Sequence, residues 1–478
     1  MRNIELKASS MKMLSNISYT VLSNIITLLV SALGVLVVPK LLSIEGYGYW
    51  QLYLFYVAYV GFTHLGLNDG IYLKYGGKDY EELNKRIFST KFYFLVILQI
   101  FFVSLIYVIT NFYVSNDERR FIWYSISSAM LFTNLTYMLL FILQATNRIK
   151  DYAKAIILGK LLFLIFLLIL IFFVNNKSFQ HIILIDLFSK GLMFFYTIYL
   201  CRDIVTSKVT LTVKVIKEVL DNIKIGALLM YSNIASLLII GIVRFGIEKN
   251  WDVATFAKVS LTLSLSSFLM IFINTLSIVI FPLLRRITER ELKSIYFVIR
   301  DFLMIILLIF LLITYPLMNI FSIWLPKYSD AIKYMAFLLP ICIYEGKMSL
   351  LVNTYLKTLR KEKVMFKINL ISLIFSVCLT TITTLVIKDL TLAVLSITVI
   401  FAFRSILSEV VLSSILNVSI AKDIILETFL VIVFVSITWY LNTIPALSIY
   451  LMCFSLYLVI KKTSIKSSWK SGKKMLLK

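Results

Sequence analysis

Runs of apolar residues about twenty long, separated by short polar stretches, recur from one end of the chain to the other. Each run is long enough to cross a hydrocarbon core of ~30 Å as a helix. The pattern predicts fourteen spans. Six lie in the first half, at 17–38, 49–67, 92–112, 121–144, 155–174 and 182–200. Six more follow at 225–247, 255–283, 302–324, 332–355, 366–387 and 392–415, and two, 424–441 and 443–460, close the chain. The expected fold is an all-α polytopic membrane protein. The first span has no A-x-A-like cleavage site and reads as an uncleaved helix rather than a signal peptide. Pro340 removes a helix hydrogen bond and is expected to kink the tenth span.

The polar stretches are small. The longest, 68–91 and 201–224, hold about two dozen residues each. Within the second, Val213, Ile216, Val219, Leu220 and Ile223 recur at helical spacing, with Lys214, Lys217 and Glu218 between them. That pattern predicts an interfacial helix. The expected organisation is a six-helix lobe at 1–200, a linker with that helix at 201–224, a second six-helix lobe at 225–415, two additional spans within 416–461 and a basic tail at 462–478.

Composition removes the soluble alternative: 60% of the residues are hydrophobic and the mean hydropathy is +0.92, against about 45–50% apolar residues in soluble domains. The formal charge of +23, from 48 Lys and Arg against 25 Asp and Glu, could signal nucleic acid in a soluble chain. Here it sorts by loop. With the N-terminus placed in the cytoplasm, and edge residues counted with their adjoining loop, about 34 basic residues fall inside and about 9 outside. Five lie within spans. That asymmetry supports fourteen spans with both termini cytoplasmic and excludes a nucleic-acid role. Cys201, Cys342, Cys378 and Cys453 fall in or at the ends of apolar runs, and neither His64 nor His181 is near a cysteine pair. No disulfide framework, metal site or cofactor is expected.

Spans 1 and 7 share a pattern at an offset of 209 residues: Ser23-Asn24-Ile25 and Leu28-Leu29 recur as Ser232-Asn233-Ile234 and Leu237-Leu238. The offset also matches Tyr47 with Phe256, Leu52 with Leu261 and Leu54 with Leu263. An even number of spans separates the copies, so the halves enter the membrane in the same direction. A parallel repeat implies a pseudo-two-fold axis along the membrane normal and a central site reached by alternating access.

The opening segment resembles polysaccharide-export flippases of the Wzx type, within the multidrug/oligosaccharidyl-lipid/polysaccharide (MOP) flippase superfamily. The resemblance is carried by Asn24, Val38-Pro39-Lys40-Leu41-Leu42, Glu45-Gly46-Tyr47-Gly48-Tyr49 and Leu65-Gly66-Leu67, and in the second half by Val253-Ala254-Thr255-Phe256-Ala257. It implies movement of an undecaprenyl-diphosphate-linked oligosaccharide, such as an O-antigen or capsule repeat unit, between leaflets of the bacterial inner membrane. It further implies a cationic cavity, a contribution from membrane lipids, coupling to a proton or sodium gradient in some relatives, and a polysaccharide polymerase and chain-length machinery as partners.

Charges within spans are the candidate site residues, because each costs roughly 2.5–3.5 kcal/mol on insertion scales unless paired or hydrated. Lys190 has Asp186 one turn before it, so it either neutralises itself on one helix face or lines a cavity. Arg404 has no acid stacked on it within its own span and is a candidate phosphate ligand, or else an inter-helix partner. Glu345 and Lys347 point in different directions on the span expected to kink and need separate partners or water. Lys347 is a cavity candidate and Glu345, like Asp186, a coupling or charge-pair candidate on a helix that moves, with inter-helix pairing as the alternative. Arg244 either snorkels from the end of span 7 or, because spans 1, 2, 7 and 8 line the cavity in the resembled family, touches the head group. Lys160 is expected to snorkel. Asn24 and Asn233 line the cavity or bond between helices. Glu409 and His64 complete the set as pairing or ion-coupling candidates. The basic excess favours anionic cargo over the cations of a multidrug antiporter. The short outer loops and the lack of an Asp-x-Asp motif argue against a membrane glycosyltransferase or polymerase.

Overall fold

The computed structural model describes residues 2–284 and 289–476, and every regular element among them is helical. In chain order the helices are α1 (Arg2–Leu41), α2 (Ile44–Val57), α3 (Leu67–Tyr75), α4 (Lys85–Tyr113), α5 (Asp117–Ala145), α6 (Ile149–Phe173), α7 (Phe179–Leu200) and α8 (Val213–Asn250). There follow α9 (Val253–Leu284), α10 (Glu289–Trp324), α11 (Met335–Thr358), α12 (Lys363–Val386), α13 (Leu390–Leu416), α14 (Ala421–Tyr440), α15 (Thr443–Ile460) and α16 (Lys462–Leu476).

Among the described residues eleven helices are long and apolar enough to cross a membrane, and they coincide with eleven of the expected spans. The other three expected spans fall on the α2–α3 segment, on α9 and on α14. This is a multi-pass membrane protein. Large apolar side chains lie open where a soluble fold would cover them, including Ile97 and Phe112 on α4 and Phe172 and Phe173 on α6. Helix α11 is the opposite case: 89% of its apolar window is buried.

The second expected span is not one helix. Helix α2 stops at Val57, a 3-10 turn covers Val60–His64, and the helical path breaks at Leu65 (φ 55°) and Gly66 (φ 88°) before α3. Hydropathy carries through this segment unbroken, so the pattern alone reads it as continuous. Gly66 causes the break, because a positive φ suits a residue without Cβ. It also lets α3 touch α8. A Cβ on Gly66 would lie 2.8 Å from the Ala227 nitrogen, and one on Gly70 would lie 1.9 Å from the Asn222 oxygen. From the other side, a Cβ on Gly226 would lie 2.0 Å from the Gly66 oxygen. Small residues at four-residue spacing permit such backbone contact between membrane helices.

The interfacial helix expected over 213–223 is not separate either. It forms the first turns of α8, a helix of 38 residues, since no Gly or Pro stands between the amphipathic stretch and the span. Pro340 does interrupt α11, as expected. Helical hydrogen bonding lapses at Leu339 and Pro340, and a π-helical turn follows at Lys347–Asn353.

The chain divides into two compact units, Met1–Ile234 and Ala235–Lys478, with the boundary inside α8. In the first unit α5 packs on α4 and α7, while α6 packs on α1 and α7. In the second, α12 packs on α13, α14 on α15, and α10 on α15 and α16. The two additional spans therefore form part of the second unit's core.

Helix α9 opens on Asp252, whose Oδ1 accepts the Thr255 N–H at 2.7 Å. The Thr255 side-chain and backbone bonds hold this carboxyl below its usual range. Its folded pKa is depressed, so the cap's contribution is present above the unfolded carboxylate pKa and lost as pH falls through the folded value. Asp252→Ala is expected to cost about 1 kcal/mol, read as a lower apparent melting midpoint at neutral pH that converges with the parent's under acid conditions.

Candidate functional site

Each unit carries one partly open ion pair on the last helix of its expected six-helix set. In the first unit Lys190 pairs with Asp186 one turn earlier on α7, as the spacing predicts. Their side chains are 24% and 16% exposed. Tyr53, fully buried on α2, donates its hydroxyl to Asp186 Oδ2 at 2.6 Å. Its ring lies 5.8 Å from Lys190 Nζ. Nothing in the sequence distinguished Tyr53 from its aromatic neighbours.

In the second unit Arg404 on α13 spreads its guanidinium over three helices. Nη1 donates to Glu345 Oε2 on α11 at 3.1 Å. Nε and Nη2 donate to Asn369 Oδ1 on α12 at 3.2 and 3.0 Å, and Nη2 donates to Ser236 Oγ on α8 at 2.9 Å. Arg404 does have an acidic partner, hidden from its own span because Glu345 is 59 residues away. Glu345 is 28% exposed and Arg404 only 4%, so the carboxylate forms the open side of the pair.

Lys347 and Glu409 meet elsewhere. Lys347, expected on a cavity wall, is 2% exposed and bonds Glu409 at 2.6 Å and Glu427 at 3.0 Å. Arg300 completes this cluster. Its Nε donates to Glu409 at 2.6 Å, and its two terminal nitrogens grip Glu427 at 2.7 and 3.0 Å. Tyr296 adds a hydrogen bond to Glu409 at 3.2 Å. Asp423, 3.3 Å from Arg300, links the cluster to Lys461, which pairs with Asp423 at 2.9 Å and Asp301 at 3.0 Å. The network joins α10, α11, α13, α14 and the residue preceding α16. The hydropathy pattern places Arg300 and Asp301 just before the ninth span, whereas α10 begins at Glu289. Glu427 carried a signal, since Asp423 stands one turn before it on the same face.

The remaining candidates lie apart from these clusters. Arg244, half-buried, donates to Ser260 Oγ at 3.0 Å and lies 5.2 Å from the Phe256 ring centre. His64 Nδ1 accepts the Gly66 N–H at 3.0 Å, and its Nε2 stands 3.7 Å from Asp69. It therefore braces the break in the second span. Asn24 and Lys160 are half-buried and Asn233 is exposed.

A further cluster secures the start of α8 to the first unit. Lys91, with no exposed side chain, donates to Tyr75 at 2.7 Å and to Glu218 at 3.0 Å. It lies 4.5 Å from the ring centres of both Tyr75 and Phe88. Nearby, Asp203 accepts from Tyr80 at 2.7 Å and pairs with Lys85 at 3.1 Å. Burial opposes ionisation of Asp203, but these hydrogen bonds outweigh it and hold the carboxyl below its usual range.

No protein-family model matches the sequence, and no curated protein does. Solved transporters share the fold. An inward-closed structure of the lipid II flippase MurJ matches with a TM-score of 0.60 at 14% identity, covering 95% of this chain and 100% of that one. An inward-facing multidrug resistance MATE family transporter of the MOP superfamily matches at 0.58 and 13% identity, covering 77% of this chain and 91% of that one. A MATE structure in complex with MaD5 matches at 0.50 and 11% identity. The likeness to these solved transporters is one of fold.

Proposed function

We propose that the protein is a flippase for a lipid-linked oligosaccharide with an anionic head group, the undecaprenyl-diphosphate-linked repeat unit of an O-antigen, capsule or related polysaccharide. The observation that carries this reading is that each unit, taken by itself, holds a span cation against a partly open acid, Lys190 against Asp186 in the first and Arg404 against Glu345 in the second. Within each unit a phosphate group can compete with the acid for its cation, because a guanidinium or ammonium held in place at low hydration binds phosphate oxygens strongly. In each pair the acid neutralises the cation and can give way to substrate or to a proton, which offers a route for coupling to a proton or sodium gradient. The likeness to the lipid II flippase MurJ covers 95% of this chain and agrees with lipid-linked cargo. The setting is then the bacterial inner membrane, with both termini cytoplasmic and polymerase machinery receiving the product.

Complementation tests the reading in a bacterium that makes the cognate lipid-linked sugar but lacks its own repeat-unit flippase. The parent chain is expected to restore surface polysaccharide. Arg404→Ala and Lys190→Ala, at matched expression, are expected to lose at least about tenfold of it, since a charge-assisted hydrogen bond is worth roughly 1.5–3 kcal/mol. Drug resistance without restored polysaccharide would assign the protein to efflux.

A further inference from the structure

Helix α16 begins one residue after the last span ends, at Lys462. One face is bound to the protein. Ser464 and Ser468 donate to Asp301 Oδ2 at 2.9 and 2.7 Å, and Lys461 pairs with Asp301 and Asp423. The opposite face is open. Lys462, Lys466 and Lys470 are exposed at four-residue spacing, a row drifting about 40° per step around the helix. Trp469 lies along the same row, 62% exposed, its ring 5.7 Å from that of Phe302. Phe302 is the first residue of the apolar run of α10. The depth of α16 is thereby set from two sides, by the end of α15 and by the start of the α10 apolar run.

We propose that this face of α16 is a binding site for the head groups of anionic phospholipids. A row of lysines at head-group depth complements phosphate-bearing lipids without a second cation, and tryptophan is the side chain that settles at the membrane interface. A solvated lysine row would account for the charge, but not for an open tryptophan held beside it against the start of a span. The carboxylate anchoring α16 is Asp301, next to Arg300 of the buried network, so the helix is positioned by the charges that join the terminal spans to the second unit. The site does not depend on what the protein transports.

The full chain in nanodiscs tests this directly. The discs contain phosphatidylglycerol and phosphatidylcholine in equal parts, with only one of the two brominated in its acyl chains. Subtracting the fluorescence of Trp469→Phe isolates the Trp469 signal. Brominated phosphatidylglycerol is expected to quench it several-fold more than brominated phosphatidylcholine, since each surface lysine favours anionic lipid by a factor of about five. The preference is expected to vanish in a K462Q/K466Q/K470Q variant whose melting in neutral lipid matches the parent's. In the parent it should collapse in molar salt and survive millimolar inorganic phosphate. Equal quenching by the two lipids, a preference retained by the triple variant, or displacement by free phosphate would overturn the proposal.

Discussion

Arg300→Met is expected to lower stability by about 3–5 kcal/mol, the cost of removing one partner from a buried ionic network. Arg300 has no exposed side chain and touches Glu409, Glu427 and Asp423. Methionine would fill part of its volume, but it would leave Glu409 and Glu427 to share Lys347, and Asp423 with Lys461 alone, among the described residues. Arg300→Lys is expected to fall between the two, because an ammonium cannot reproduce the fork that grips both oxygens of Glu427. The decisive comparison is with Arg300→Met/Glu427→Gln, which removes a cation together with an anion. It should recover much of the loss, because the penalty arises from uncompensated charge more than from missing contacts. Apparent melting midpoints in detergent, read against denaturant, provide the measurement. A single variant as stable as the parent would mean that water reaches the network.

The second large effect is steric. Gly70→Val and Gly226→Val are expected to abolish accumulation of folded protein, because each would place a side chain inside backbone atoms of the neighbouring helix, 1.9 Å from the Asn222 oxygen and 2.0 Å from the Gly66 oxygen. Neither obstacle is a flexible side chain that could rotate away, so α3 and α8 would have to separate. Gly34→Ala is the internal comparison: nothing lies within 4 Å of its built Cβ, and alanine is the better helix former by about 0.8–1 kcal/mol. It should be neutral or slightly stabilising. Yields after size-exclusion chromatography distinguish the three variants, and folded Gly70→Val at parental yield would show that the α3–α8 contact is dispensable.

What was legible in the sequence follows from what hydropathy can report. A span is an apolar window, so eleven helices fall where the pattern places them, and Pro340 marks the interruption of α11 because its missing N–H is a local property. The break of the second span was also written locally, in Leu65-Gly66, yet a helix break within an apolar run does not disturb the hydropathy that defines a span. Helix length beyond the apolar window leaves no such trace. Arg300 therefore looked like a loop residue, although α10 carries it into the core. The Lys190–Asp186 pair could be read because it lies within one helix turn. The Arg404–Glu345 and Lys347–Glu409 pairs could not, because their partners come from different helices and no periodicity within one helix encodes that choice. Lys91 shows the same limit from the other side: a charge at the edge of a span is ordinarily solvated, and only the packing of Tyr75, Phe88 and Glu218 encloses it.

The central claim concerns cargo, and reconstitution tests it most directly. The purified chain would be placed in liposomes carrying an undecaprenyl-diphosphate oligosaccharide in both leaflets, and the sugar exposed on the outer surface would be followed with an impermeant lectin. The account predicts that inner-leaflet sugar becomes accessible over time in the presence of the protein, and at least about tenfold more slowly with Arg404→Ala or Lys190→Ala, in line with the loss of a charge-assisted bond. Accessibility no different from protein-free liposomes, with the chain folded and the cognate sugar confirmed, would contradict it.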